Sequence, residues 1–254
     1  MPSPNVHAEA QPRDILGAGE VPALDGLRAV SVLIVMVSHS GLGWLVPGGF
    51  GVTMFFFISG FIITTLLVRE QEKRGRIAIA DFYRRRALRL YPALAVFMGF
   101  IVLAHAIWHI LPDKLAILAG FLYFMNYLAI WSPDRVMAQW HHLWSLAVEA
   151  HFYLFYPWLF IWLAPSLKRL AVALAFVCVA VLLFRTAASA VIADRALVYE
   201  IAYQASEARI DSIAYGALLA VLLLGTAGGE VARRLLTSRR NLDSAREGRK
   251  ERRT

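Results

Sequence analysis

The chain has 254 residues, 59% of them hydrophobic, a formal charge of +8 and a single cysteine. A mean hydropathy of +0.56 over that length excludes a water-soluble globular domain and describes an all-α, polytopic integral membrane helical bundle. The Lys and Arg excess lies in two blocks beside apolar runs, as in cytoplasmic loops, so the charge does not argue for nucleic acid, and Cys178 alone supports neither a disulfide framework nor a cysteine metal site.

Residues 1–20 are polar and contain proline, without the basic start and small-residue cleavage site of a signal peptide, so they read as a disordered cytoplasmic leader. Residues 21–228 form the membrane domain, and 229–254 a basic, disordered tail. About seven transmembrane helices are expected, over 26–44, 50–68, 90–110, 114–131, 146–164, 168–186 and 209–225. Between the second and third, Arg69, Lys73, Arg74, Arg76, Arg84, Arg85, Arg86 and Arg89 face only Glu70, Glu72 and Asp81, which makes that loop and the N-terminus cytoplasmic. The tail is equally basic, yet five spans after a cytoplasmic loop end on the opposite side. One span is therefore miscounted or the tail breaks the rule. The doubtful stretch is 187–208, weakly apolar and holding Asp194, Arg195, Glu200 and Glu207.

Ionisable residues inside apolar runs mark candidate sites, because a charge in hydrocarbon costs several kcal/mol. Arg28 and His39 lie in the first run, within about 20° of one helical face and about 16 Å apart along the axis. Arg28 suits phosphate or carboxylate recognition, or a local pair with Asp25 three residues earlier; the imidazole of His39 suits a general base near neutral pH, or a capped hydrogen-bond network. In the fifth run His142, Ser145, Glu149 and Tyr153 make a polar stripe at 3, 4, 4 spacing, where Glu149 could orient an imidazole or pair with Arg28 or Arg209. Ser59 lacks a G-x-S-x-G setting and reads as a packing or hydrogen-bonding group rather than a nucleophile. Gly48 and Gly49 after Pro47 fit a tight turn, and His105 with His109 lacks a third ligand, so no metal is expected.

Several motifs together resemble the acyltransferase 3 family of membrane-bound O-acyltransferases. Leu24-Asp25-Gly26-Leu27-Arg28, with ten residues between Arg28 and His39, is similar to its R-x10-H signature. Pro47-Gly48-Gly49-Phe50 through Phe55-Phe56-Phe57-Ile58-Ser59-Gly60-Phe61 resembles its GG and FFxxSGF elements. Phe82-Tyr83-Arg84-Arg85-Arg86 with Arg89 and Pro92, then His142-Leu143-Trp144-Ser145 through Glu149, Phe152, Tyr153 and Pro157, and finally Arg209-x-Asp211 before Gly216, follow in the family's order. Thr53 and Ala150 stand where members often carry acidic residues, and the chain looks C-terminally short beside the family.

The resemblance implies transfer of an acyl group, acetyl in the simplest case, from acyl-CoA to a hydroxyl of an envelope polysaccharide, lipid or glycoside at a bacterial inner membrane. His39 would be the base, with Glu149 and Arg28 beside it in the catalytic set. Arg84, Arg85, Arg86 and Arg89 would bind the donor, with Asp25, Ser59, His142, Ser145, Tyr153, Arg209 and Asp211 in support. No permanently bound cofactor is implied; acyl-CoA enters as substrate. The expected partners are membrane lipid, the glycan or lipid acceptor, and a separate periplasmic chain or a second copy. Two other classes stay open: a transporter or flippase using the same charged path, and a truncated, inactive paralogue or assembly partner.

Overall fold

The computed structural model describes residues 22–225 apart from 108, 110 and 165; the expected leader and tail lie outside these residues. Helix α1 (Pro22–Val37) starts with Asp25 in its first turn, where a carboxylate complements the exposed N–H groups. It unwinds into a π-turn at Ser38–Leu42, with Gly41 at φ 94°, a conformation glycine adopts without a side-chain clash. Helix α2 (Gly48–Arg74) ends at Gly75, whose φ of 68° turns the chain and whose N–H donates to the Gln71 carbonyl. Helix α3 (Ile79–Ala106) begins eleven residues before the expected third span and carries the loop arginines on its first turns.

Helices α4 (Lys114–Phe121) and α5 (Met125–Trp131) follow, then α6 (Leu143–Leu163), α7 (Leu167–Val191), α8 (Arg195–Gln204) and α9 (206–225). The described residues contain helices and no strands. Six segments are long and apolar enough to cross a membrane: α1 with its π-turn, α2, α3, α6 with the short turn before it, α7, and α8 joined to α9. The protein is an all-α, multi-pass membrane protein.

The expected fourth span is corrected. Residues 114–131 form two helices of 8 and 7 residues, about 12 and 10 Å long, neither able to cross a ~30 Å core. The break falls at Tyr123, whose φ is 59°. Asp113, capping α4, pairs with Arg135 beyond α5 at 3.0 Å, so the two ends of the segment meet. Tyr91, in the middle of α3, donates to the Phe121 carbonyl, placing the tip at mid-depth. The helices on either side agree: Tyr83 and Arg86 meet Leu154 and Tyr153, while Phe97 meets His142, so α3 and α6 run antiparallel and the chain between them leaves and returns on one side. The segment from Asp113 to Arg135 is therefore re-entrant. Composition alone cannot separate it from a span, because its apolar residues serve both purposes: Ala116, Ala119, Met125 and Ala129 are buried against protein while Leu118, Leu122 and Phe124 stay exposed.

Removing that span leaves an even count. Gly225 then lies on the side of Pro22 and of the basic 69–89 stretch, and the conflict with the positive-inside rule disappears. The stretch 187–208, doubted in sequence, is where α8 caps itself through Asp194 and leads into α9.

Helix α2 is central: 61% of its apolar window is buried, against 6% for α1 and 11% for α3. It packs with α6, α7 and α9 around Phe56, Ile63, Leu67, Val148, Phe160, Leu174 and Ile213. Its approach to α9 is backbone to backbone, since a Cβ on Gly60 or Gly216 would fall 1.9 Å or 1.8 Å from the facing carbonyl oxygen. This close contact between small residues is a usual way for helices to associate in lipid.

Candidate active site

A cavity of about 1010 Å³ lies between α1, α2, α3 and α6. Asp25, Arg28, Arg85, Arg86 and Arg89 line its basic end, on the side of the 69–89 stretch. Val32, Leu33, Met36, Ile62 and Leu66 make apolar walls, and Ser59, Ser145, Glu149 and Tyr153 supply polar groups deeper in.

Glu149 is buried, 4% exposed, a third of the way along α6. Ser59 donates to its Oε1 at 2.6 Å and the Tyr153 hydroxyl donates to the same oxygen. Of the alternatives the sequence leaves open for Glu149, a pair with Arg28 or Arg209 is not the one formed among the described residues: two hydroxyls donate to it, and the cation nearby is Arg86, whose guanidinium lies 4.8 Å from the Tyr153 ring and 3.9 Å from that of Phe82. Arg28 lies 4.9 Å over the Phe55 ring. A guanidinium resting over an aromatic ring is stabilised there without spending its N–H donors, which leaves those of Arg28 and Arg86 able to meet an anion. Arg85 is shared with Glu70 at 3.3 Å, which also accepts from the Ala78 N–H and so fixes the α2–α3 turn. Arg84 pairs with Asp81 on the exposed side and does not line the cavity.

His39 stands in the π-turn, one turn beyond Val35, which lines the cavity; His39 itself is exposed and is not part of the lining. Its Nδ1 lies 2.8 Å from the Val35 carbonyl oxygen. A carbonyl only accepts, so Nδ1 carries the proton, and in the neutral ring Nε2 is left as an acceptor. His142 immediately precedes α6, packs edge-on against Phe97 and does not line the cavity. Past Val35, the end of the cavity away from its arginines leads toward the His39 imidazole.

Arg209 and Asp211 lie outside the cavity. Arg209 donates to Thr53 Oγ1 at 3.0 Å, so the hydroxyl at that position still accepts from arginine. Asp211 is buried and bound to Arg185 at 2.6 Å, tying α7 to α9. Arg185 was not singled out from the sequence, although an arginine inside an apolar run was the signal. Also unforeseen is a polar seam behind α6, where His151 meets Ser206 at 2.6 Å, Asn126 donates to Ser206, and Tyr127 donates to Glu207. It joins the re-entrant tip to α6 and α9.

These features define a multi-pass helical membrane protein with an arginine-mouthed cavity and a carboxylate at its centre. The chain belongs to the acyltransferase 3 family, whose model, described as an acyltransferase domain, matches residues 21–241. A Staphylococcus aureus (strain COL) protein named provisionally as an O-acetyltransferase is 36% identical over 157 residues, 59% of this chain and 26% of its own length. The O-acetyltransferase OatA of S. aureus strain NCTC 8325 is 36% identical over 146 residues, 54% of this chain and 24% of its own. The chain thus spans about a quarter of the length of these curated relatives. No solved structure matches it.

Proposed function

We propose that the protein is an inner-membrane O-acyltransferase that moves an acyl group, acetyl in the simplest case, from acyl-CoA to a hydroxyl of an envelope polysaccharide, lipid or glycoside. The cavity carries this reading: four arginines at one end, apolar walls, a buried carboxylate, and a histidine one turn past the other end. By the positive-inside rule the basic end faces the cytoplasm, where acyl-CoA is found. The family and the names of its S. aureus relatives support acetyl transfer.

In this scheme Arg28, Arg86 and Arg89 take the phosphates of the donor, and the thioester reaches along the apolar walls. His39 Nε2 accepts the proton of the acceptor hydroxyl as its oxygen attacks the thioester carbonyl. The tetrahedral adduct then expels the CoA thiolate, which leaves protonated as the ester forms. Ser59 and Tyr153 fix the Glu149 carboxylate beside this path, where it can orient a hydroxyl or an N–H donor.

The test is CoA release from acetyl-CoA by membranes carrying the protein, beside His39→Ala at equal expression. Loss of general base catalysis should slow release on the order of 10²–10⁴-fold. Equal rates in the two preparations would overturn the assignment of His39.

A further inference from the structure

His39 is carried by the segment with the least burial among the six that can cross the membrane, 6% of its apolar window against 61% for α2. The close contact of α1 with α2, Gly51 against Ser31, Ile34 and Val35, ends just short of the π-turn, and no residue from Ser38 to Leu42 is buried. The turn is tied to the bundle by the residue before the histidine. The first N–H groups of a helix need acceptors from outside it, and Pro47, at the N-cap of α2, has no side-chain oxygen to offer. Ser38 supplies one from ten residues upstream: the Gly48 N–H, first in α2, donates to Ser38 Oγ at 3.2 Å.

The fit around this bond is close. Gly43 and Gly48 bracket the loop 44–47, and both face Ser38. A Cβ on Gly48 would fall 2.7 Å from Ser38 Oγ and 2.8 Å from Ser38 Cβ, and one on Gly43 would fall 3.2 Å from the Ser38 carbonyl oxygen. Neither glycine has a positive φ, so each provides room for Ser38 and not a special backbone angle. The two serines beside His39 differ in this respect. Ser40 Oγ donates to the Val37 carbonyl three residues back, a bond inside its own helix end, as serines in helices commonly do. Ser38 instead joins the turn of the histidine to the central helix. His39 is the next residue, with Nδ1 held on the Val35 carbonyl across the junction of α-helix and π-turn. Such single π-turns occur frequently at functional sites.

We propose that Ser38 is a positioning residue for His39: by capping α2 it fixes the π-turn, and with it the direction in which the imidazole presents Nε2. The inference rests on the acyl-transfer reading for the use made of Nε2, but its geometry does not.

Two readouts on the full chain in lipid nanodiscs test it. The first needs no turnover: nitrogen-15 NMR of histidine-labelled protein at about pH 8.5, where imidazoles are neutral, with the His39 signals assigned by their loss in His39→Ala. The wild type should show the Nδ1–H tautomer alone, Ser38→Ala and Gly48→Ala a mixture of the two tautomers, and Ser40→Ala the wild-type pattern. The second is CoA release from acetyl-CoA. A 1 Å misplacement can cost about 10²-fold, so kcat should fall about tenfold or more in Ser38→Ala and Gly48→Ala, with the KM for acetyl-CoA unchanged. Ser40→Ala should stay within about twofold of wild type, and Ser38→Cys, whose sulfur is a weak acceptor, should fall between. Melting curves compare folding, and a partly unfolded preparation does not change the tautomer of its folded fraction. A tautomer mixture in the wild type, an unaltered tautomer in Ser38→Ala, or equal losses of rate in Ser38→Ala and Ser40→Ala would overturn the proposal. A tautomer change in Ser38→Ala without CoA release by the wild type would sink the acyl-transfer reading and leave the positioning of His39 in place. CoA release that depends on His39 and not on Ser38 would do the reverse.

Discussion

Gly60→Ala is expected to be among the most damaging single-methyl changes in this protein. An ideal Cβ there lies 1.9 Å from the Ile213 carbonyl oxygen, and no relaxed Cβ comes within 3.0 Å of such an atom. The obstacle is backbone, which cannot rotate aside, so α2 and α9 must part by at least about 1 Å. A gap of that size forfeits up to half of each dispersion contact across the interface, which here includes Phe56, Ile63, Ile213, Ala217 and Ala220. Overpacking ordinarily costs ~1–3 kcal/mol, and with no flexible neighbour to yield we expect about 3 kcal/mol or more. Gly216→Ala meets the Phe57 carbonyl at 1.8 Å and should behave alike. Gly99→Ala on α3 supplies the contrast: nothing lies within 4 Å of its added methyl, and replacing a helical glycine by alanine should gain about 0.5–1 kcal/mol. Thermal unfolding in one detergent, with reversible unfolding in dodecyl sulfate, ranks the three. A Gly60→Ala protein as stable as Gly99→Ala would refute the backbone contact, and with it the position of neighbouring Ser59 against Glu149.

Asp211→Asn should destabilise by about 2–4 kcal/mol, because it leaves the Arg185 charge without its 2.6 Å partner, and Arg185→Met added to it should recover part of the loss in the same unfolding assay. Glu149→Gln keeps the side-chain volume and an acceptor for Ser59 but removes the charge; CoA release should fall on the order of 10²-fold while the protein still elutes as folded, and undiminished release would show that the carboxylate has no part in the reaction. Cysteines placed singly at Lys114 and Pro133, in a Cys178→Ala background, should both be labelled by a membrane-impermeant maleimide from the same side, as a re-entrant segment requires; labelling from opposite sides would restore a span at 114–131. Arg28→Ala should raise the KM for acetyl-CoA about tenfold or more, the weight of one charge-assisted phosphate contact, with little change in the KM for the acceptor.

Much of the site was legible because it is local. Glu149 and Tyr153 are four apart on one helix, so their contact follows from helical periodicity, and the first turns of α3 were marked by their arginines. Ser59 joins them across 90 residues, and only the packing of α2 on α6 decides which polar residue of one helix meets which of the other. The same limit hid Arg185: its charge was visible, but its partner Asp211 depends on where α7 crosses α9. Hydropathy failed at 114–131 for another reason. A re-entrant segment and a span need the same apolar composition, and the distinguishing facts are a positive φ at Tyr123 and an ion pair closing the neck.

The charge distribution follows from the same geometry. At the far end Arg209 has a hydroxyl, Thr53, where family members often carry a carboxylate, and the nearest acidic group, Asp211, is already bound to Arg185. The Arg209 charge is therefore only partly neutralised, and it sits among the rings of Phe56, Trp144 and Tyr203 at 5.6–6.0 Å. Those rings share its electrostatic load through their faces while walling it from the cavity, so the arginine can hold α2 to α9 without competing for the anion that Arg28 and Arg86 are set to receive. The two arginine groups thus divide the work by depth, one facing the cavity and the other bracing the helix pair behind Trp144. A carboxylate in place of Thr53 would strengthen that brace, and on this reasoning Thr53→Asp should stabilise the fold while leaving the donor end of the cavity unaltered.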